Sequence, residues 1–291
     1  MDSEQVNFMI NKIHISNWSK GTRNVNREEM QRMFMTFFVN SIKEYNPDLE
    51  IIYLCDTVAY NELTPDVVKD NVTSKIVLDE FNNFPSEQWP IVKLKTIAGV
   101  EEAEIFHLDF DIIWKYDLTN IFYLIENEKF DCLFQCYELL DADHNYYINF
   151  LRQYPYVQDI MAVVDKKIAY NAGVSYYSQS VKQRLNELLT THYEEDFTFE
   201  NCAGFEQVLV PNLLLTEGYK VDVLANMPSK LPLVDKKIIM PDEFTMANKL
   251  HYKGFCKCGA FLNNIGFYHF LGDCKESDKI QEFATFIYEN S

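Results

Sequence analysis

Two aspartates one residue apart, Asp109 and Asp111, close the apolar run Ile105-Phe106-His107-Leu108. A buried strand that ends this way delivers two carboxylates to the edge of a sheet, where they can grip a divalent cation holding a phosphorylated ligand. Three later segments carry groups that would complement the pair. Tyr170-Asn171-Ala172-Gly173-Val174 sets an amide and a glycine inside an otherwise apolar strand, a place where backbone must come close to something. Phe205-Glu206-Gln207 reads as the opening of a helix that carries an acid and an amide. His251-Tyr252-Lys253-Gly254-Phe255-Cys256-Lys257 offers an imidazole, then a glycine, then a lysine at even spacing. A cation held by Asp109, Asp111 and His251, with Lys257 on a diphosphate, is a coherent set for stabilising a nucleotide leaving group. Each segment alone also reads as something bland: a solvated strand end, a bulge, an ordinary helix residue, a hydrogen-bonded histidine. Their occurrence together carries the argument.

The elements that must position these groups follow from periodicity and punctuation. Val6 to Ile15 reads as a strand leading to a polar turn around Trp18 and Gly21. Asn26 with Glu29 forms a capping-box pattern before a helix that sets Met30, Met33, Phe34 and Phe37 on one face. Further strands are expected over Glu50 to Cys55, ending at Asp56, over Lys75 to Leu78, into Asp109, over Asp131 to Tyr137 and over Ile168 to Tyr176. Helices are expected over Gln88 to Val100, Val181 to Thr191 and Phe205 to Leu215, with a tail from Glu276 to Tyr288 that packs Ile280, Phe283 and Ile287. Alternation of this kind specifies an α/β fold with a mostly parallel central sheet flanked by helices. No internal repeat, low-complexity tract or Pro/Gly-rich linker interrupts the chain, so a single domain with insertions over residues 1–291 is the simplest organisation.

Composition limits the chemistry. With 291 residues and a hydrophobic fraction of 47% the chain can fill a large core. A formal net charge of -18 argues against a nucleic-acid partner, since that binding is built on clustered Lys and Arg. A bound cation can reverse the local field for a phosphorylated small molecule. No apolar run has the length of a membrane helix, and the N-terminal residues lack the plan of a signal peptide, so a cytoplasmic location is expected. The cysteines at 55, 132, 136, 202, 256, 258 and 274 suit buried thiols better than a disulfide framework. Cys256, Cys258, His269 and Cys274 could form a zinc site, but Cys-x-Cys is tighter than the usual structural spacing. Asp141, Asp143 and His144 read as a polar loop, and Glu194-Glu195-Asp196 as a solvated turn.

The four segments stand in the order found in nucleotide-sugar glycosyltransferases of the GT-A fold, a Rossmann-like arrangement, and the chain resembles in particular the glycogenin-like and lipopolysaccharide galactosyltransferase-like family. The signatures are Asp109-x-Asp111, Asn171-Ala172-Gly173, Glu206-Gln207 and His251-x-x-Gly254-x-x-Lys257, spanning roughly residues 90 to 260. The segments His14 to Gly21 and His107 to Trp114 are similar to a bacterial branch of the same fold. The resemblance implies that Asp109 and Asp111 bind Mn2+ or Mg2+, that Asp109 also meets the ribose or sugar, and that His251 completes the cation's shell. It assigns Lys257 and the Gly254 backbone to the diphosphate, Asn171 and Gly173 to the sugar or acceptor pocket, and Gln207 to the anomeric carbon with Glu206 beside it. Lys95, or Lys93 on the same helix, is a candidate contact to the donor. Residues 1–111 would form a nucleotide-binding half and 112–291 an acceptor and metal-completing half. The implied reaction moves a sugar from a nucleotide-diphosphate sugar, a UDP-sugar by family habit, to a saccharide, lipid-linked or protein acceptor with retention of configuration. The surplus of aromatics, 18 Tyr and 22 Phe, could supply a platform for that acceptor.

Two departures set up alternatives. Val208 stands where the family has a carboxylate, which raises the reading of a catalytically silent nucleotide-sugar-binding protein, and Cys258 replaces the proline that follows the family's lysine. A haloacid dehalogenase-type phosphotransferase also places Asp-x-Asp after a buried strand, with the first aspartate as nucleophile. That pattern continues to a threonine or valine where this chain has Ile113, and it lies near the start of its fold.

Overall fold

Strands β1 (Lys12–Asn17), β2 (Glu50–Cys55) and β4 (Ile105–Leu108) are buried at almost every position, as inner parallel strands covered on both faces must be. Strand β3 (Thr73–Ile76) is polar and partly exposed because it forms the sheet's edge. In this computed structural model the described residues are 11–21, 25–115, 117–138, 145–163, 169–226 and 267–269, with single positions between 282 and 289. A seven-stranded sheet takes the order β3-β2-β1-β4-β7-β6-β8, with β6 at Cys132–Glu138, β7 at Ala169–Tyr177 and β8 at Val221–Val223. The pairs β1/β2, β1/β4, β2/β3 and β6/β8 are parallel, while β7 runs antiparallel to both β4 and β6. The sheet is therefore mostly parallel, as expected. Strand order reverses between β1 and β4, and the carboxyl ends at such a switch point are where ligands collect in open α/β sheets.

Helices cover both faces. Against one face pack α1 (Val25–Tyr45), α2 (Asp66–Lys69) and α4 (Thr119–Glu128), in a core with Ile13, Phe38, Tyr53, Phe106 and Leu108. Against the other pack α3 (Trp89–Gly99), α5 (Asn145–Gln153), α6 (Pro155–Val163), α7 (Gln179–His192), α8 (Phe199–Gly204) and α9 (Val210–Thr216), with Ile91, Ile105, Phe134, Tyr147 and Val208. A second, two-stranded sheet joins β5 (Ile112–Trp114) to β9 (Phe267–His269) in antiparallel register.

Several sequence expectations shift. The helix expected after Asn26 already begins at Val25, so Asn26 lies in its first turn. The third strand ends at Ile76, and Leu78 instead starts a short 3-10 turn. Phe205 does not open a helix: Thr198 does, in a reciprocal capping box with Asn201, and the helical run continues past Phe205. The side chains of Ile280, Phe283 and Ile287 lie outside the described residues, yet the tail is tied to α1 where the Tyr288 ring stacks on Phe37 at 4.4 Å. Cys55, Cys132, Cys136 and Cys202 are buried free thiols. No helix among the described residues is long and apolar enough to cross a membrane.

Candidate active site

Strand β4 ends at Leu108, and the backbone holds the next residue still. The Asp109 amide donates to the Gly173 carbonyl at 2.8 Å, extending the β4/β7 ladder by one rung. Gly173 is fixed in turn, its amide donating to the side-chain Oδ1 of Asn171 at 2.9 Å. The amide and glycine inside β7 thus shape the strand beneath the first aspartate. Asp109 keeps about a third of its side chain exposed, at 32%. Asp111 is mostly buried and leads directly into β5, where Ile112 faces residue 269 of β9.

The inward face of α3 brings Lys93 to this strand end. Its Nζ lies 3.1 Å from Asp109 Oδ1, 3.0 Å from Glu206 Oε1 and 3.3 Å from the Ala172 carbonyl. The contacts to Asp109 and the Ala172 carbonyl are hydrogen bonds, and the contact to Glu206 is an ion pair. Burial pushes the Lys93 pKa down, but Asp109 and Glu206 reverse that push and raise it, so the group stays charged. Burial raises the Glu206 pKa; Lys93 opposes this and Asp109 adds to it. Beneath them His107 is fully buried, its Nε2 in a 2.8 Å hydrogen bond with Ser16 Oγ and its Nδ1 3.9 Å from Asp109 Oδ1. Burial first, then Lys93 and His14, hold its pKa well below the usual histidine range, so it is neutral. Among the described residues one buried ammonium serves both Asp109 and Glu206.

Glu206 and Gln207 sit in a widened helical turn, Phe205–Leu209, of the π type, between α8 and α9. Such single wide turns cluster at functional sites because the extra residue re-aims side chains. Just before it the packing is tight. A Cβ on Gly204 would lie 2.5 Å from the Phe150 side chain, so α8 approaches α5 this closely only through glycine. From α5 the buried Tyr147 donates its hydroxyl hydrogen to Gln207 Oε1, which fixes the amide with its NH2 end pointing away from the tyrosine. Val208, the departure from the family's carboxylate, is fully buried in the apolar core. A carboxylate there would point into that core and not toward Asp109.

Lys93 and Lys95 are separated by the helix itself. Two residues turn about 200° on an α-helix, and Lys95 leaves on the far side. Its Nζ lies 5.0 Å and 5.6 Å from the Tyr193 and Phe84 ring centroids, and it lines a cavity of about 440 Å³ with Lys75, Ile76 and Glu80. Of the two lysines offered as donor contacts, Lys93 is the one that meets Asp109.

His251, Gly254 and Lys257 lie outside the described residues, as do Cys256, Cys258, Cys274, Asp141, Asp143 and His144. Among the described residues no group of three or more His, Cys, Asp or Glu side chains is gathered to hold a metal. One signal escaped the sequence reading. The spacing His-x-x-Gly-x-x-Lys occurs a second time, at His269-Phe270-Leu271-Gly272-Asp273-Cys274-Lys275. Strand β9 puts the backbone of His269 opposite Ile112, the residue after Asp111.

No family model matches the chain, and no curated protein matches it. Solved structures do. Mouse xyloside xylosyltransferase 1 in its apo form is 11% identical, with 91% of this chain and 99% of that one covered and a TM-score of 0.50. The bifunctional glycosyltransferase WbbM, also apo, is 14% identical at a TM-score of 0.50; the match covers 96% of this chain and about half, 51%, of WbbM. The galactosyltransferase LgtC with donor and acceptor sugar analogs is 14% identical, covering 96% and 95% of the two chains at a TM-score of 0.44. The fold is the Rossmann-like GT-A fold of such enzymes.

Proposed function

We propose that the chain is a metal-dependent glycosyltransferase that moves a sugar from a nucleotide-diphosphate donor, a UDP-sugar, to a saccharide, lipid-linked or protein acceptor, with retention of configuration. The observation that carries this reading is the meeting of the Asp109/Asp111 strand end with the Glu206-Gln207 wide turn at the switch point of a GT-A sheet. The donor types fit Mn2+ or Mg2+: two carboxylates at a strand end, with the backbone of a histidine opposite the residue that follows Asp111. His251 and His269 both satisfy the family's spacing. The register of β9 favours His269, with Gly272 and Lys275 in the parts first given to Gly254 and Lys257.

Bound at this site, the cation would neutralise the diphosphate as it leaves. Asp109, rigid on its backbone rung, would orient donor and cation together, while Asn171 and Gly173 shape the floor of the sugar pocket. Gln207 would lie beneath the anomeric carbon, where its amide oxygen, held by Tyr147 through one lone pair, keeps a second lone pair for the positive charge that develops there. Glu206 beside it, with Lys93 as counter-charge, would set the field there. A phosphotransferase with Asp109 as nucleophile is disfavoured because Ile113 stands where that pattern has a threonine or valine and because the pair follows the fourth strand of the chain and not the first.

The test is thermal denaturation with UDP, UDP-glucose and UDP-galactose, each with and without Mn2+, on the wild type and on Asp111→Asn. A ligand that binds only the folded protein raises its melting temperature by mass action. A shift that needs both nucleotide and metal, and that vanishes in Asp111→Asn while the metal-free melting temperature is kept, is expected. A shift unaffected by metal and by Asp111→Asn would sink the assignment. Hydrolysis or transfer of the sugar then separates an enzyme from a silent binder.

A further inference from the structure

We propose that Lys93 is a positioning residue that stands in for the divalent cation, holding Asp109 and Glu206 together until the cation arrives and then passing its charge wholly to Glu206. This rests on the cation site proposed above and goes beyond it. Three observations carry it. Lys93 is almost entirely buried, donates hydrogen bonds to Asp109 and to the Ala172 carbonyl and pairs with Glu206 at 3.0 Å, so its charge is committed to protein groups while that arrangement lasts. Its bond to Asp109 goes to a carboxylate oxygen at the strand end where a cation would sit, so the two positive charges compete for one acceptor. Its third anchor, Ala172, lies on rigid β7. That anchor lets the ammonium loosen its hold on Asp109 without leaving its place. Lys93 would then link the strand that receives the cation to the wide turn that carries Gln207.

The consequence has a sign that a merely structural lysine would not produce. Removing Lys93 strips a buried positive charge from beside the cation's ligands, so affinity for the metal should rise although the fold weakens. Binding of Mn2+ alone can be followed by the electron paramagnetic resonance of the free ion, on the full chain, for the wild type, Lys93→Met and Lys93→Arg. Lys93→Met is expected to bind Mn2+ about tenfold more tightly than wild type, and Lys93→Arg, which keeps the charge, to stay near wild type. Lys93→Met leaves Glu206 buried without its partner and could fail to fold. The double variant Lys93→Met/Glu206→Gln leaves no unpaired charge at position 206 and should show a smaller gain of the same sign.

Unchanged or weakened Mn2+ binding in both folded variants, or no binding by either, overturns the proposal. Failure of the underlying site reading looks different: there, adding Asp111→Asn to Lys93→Met would leave Mn2+ binding unaltered.

Discussion

Two buried charge clusters flank strand β4, and they are built in inverse proportion. Ahead of the strand, the Glu102 carboxylate lies 2.6 Å from Lys75 Nζ, 3.8 Å from Lys12 Nζ and 4.0 Å from His14 Nε2. Lys182 joins them, donating to the Val100 carbonyl at 2.7 Å and to the Glu102 carbonyl. Beyond the strand, one ammonium, that of Lys93, stands between Asp109 and Glu206. Burial acts on both glutamates in the same direction, yet they end apart. Against the push of burial, Lys75 and its neighbours pull Glu102 down to about 2, whereas Glu206, with half a cation to itself and Asp109 nearby, is raised. The first cluster has its charges met and closes a corner of the fold. Among the described residues the second has one ammonium between two carboxylates, at an edge where Asp109 is about a third exposed.

The sharpest way to break this contrast is a pair of substitutions, one in each region. Gln207→Ala should lower kcat by about 100-fold with little change in donor KM, since an amide oxygen facing the positive charge that develops at the anomeric carbon acts mainly in the transition state. Steady-state kinetics with the donor found by thermal shift decides it. A raised KM at constant kcat would move Gln207 out of the reacting centre.

Glu102→Gln should do the reverse. It should cost about 2 kcal/mol of stability in urea titration, less than for a fully buried pair because Lys75 and Lys12 can turn to solvent. Mn2+-dependent nucleotide binding should be unaffected. Loss of that binding would mean the two clusters are coupled through β4.

Acid sharpens the comparison further. Burial holds His14 down at about 4, against the pull of Glu102 and with Lys75 adding to burial's push, compared with 6.5 when unfolded. The unfolded chain therefore takes up a proton that the folded chain refuses. Stability should be full above pH 6.5 and fall as pH drops toward 4, by up to about 1.4 kcal/mol per pH unit from this residue. Glu102, ionised in the fold down to about 2, adds its own loss only at lower pH, below the 4.5 of an unfolded glutamate. Urea titrations between pH 7.5 and 5, about the range where folded proteins are commonly titrated, should show a shallower slope for His14→Gln. Identical slopes would show that another group refuses the proton. The smallest effect is expected from Lys95→Ala: under about 1 kcal/mol, from its lost contacts with Phe84 and Tyr193, and no change in nucleotide binding.

Much of the scaffold was legible because its signals are local. Glu50 to Cys55 is a strand at the expected bounds, Trp89 to Gly99 a helix within one residue, and Asp109 follows a buried strand as its apolar run implies. Short elements such as β5, β8 and α4 were not singled out, since three to ten residues of mixed pattern do not distinguish themselves from loop. The wide turn at Phe205–Leu209 was read as a helix start. The close approach of Gly204 to Phe150 just before it is a contact between residues far apart in sequence.

By itself the sequence determined the alternation of strand and helix, the two aspartates at a strand end, and the acid and amide near residue 206, because period, composition and spacing are properties of neighbours along the chain. It also held a second His-x-x-Gly-x-x-Lys without a way to rank it against the first. Tertiary structure decided the rest. It selected Lys93 over Lys95 by the turn of α3 and brought Glu206 within 3.0 Å of that lysine. It buried Val208 in the core and set the backbone of His269 beside the residue that follows Asp111. Each of these depends on which surfaces meet when the sheet closes against its helices, and the distance between two side chains in that packing has no counterpart in their spacing along the chain.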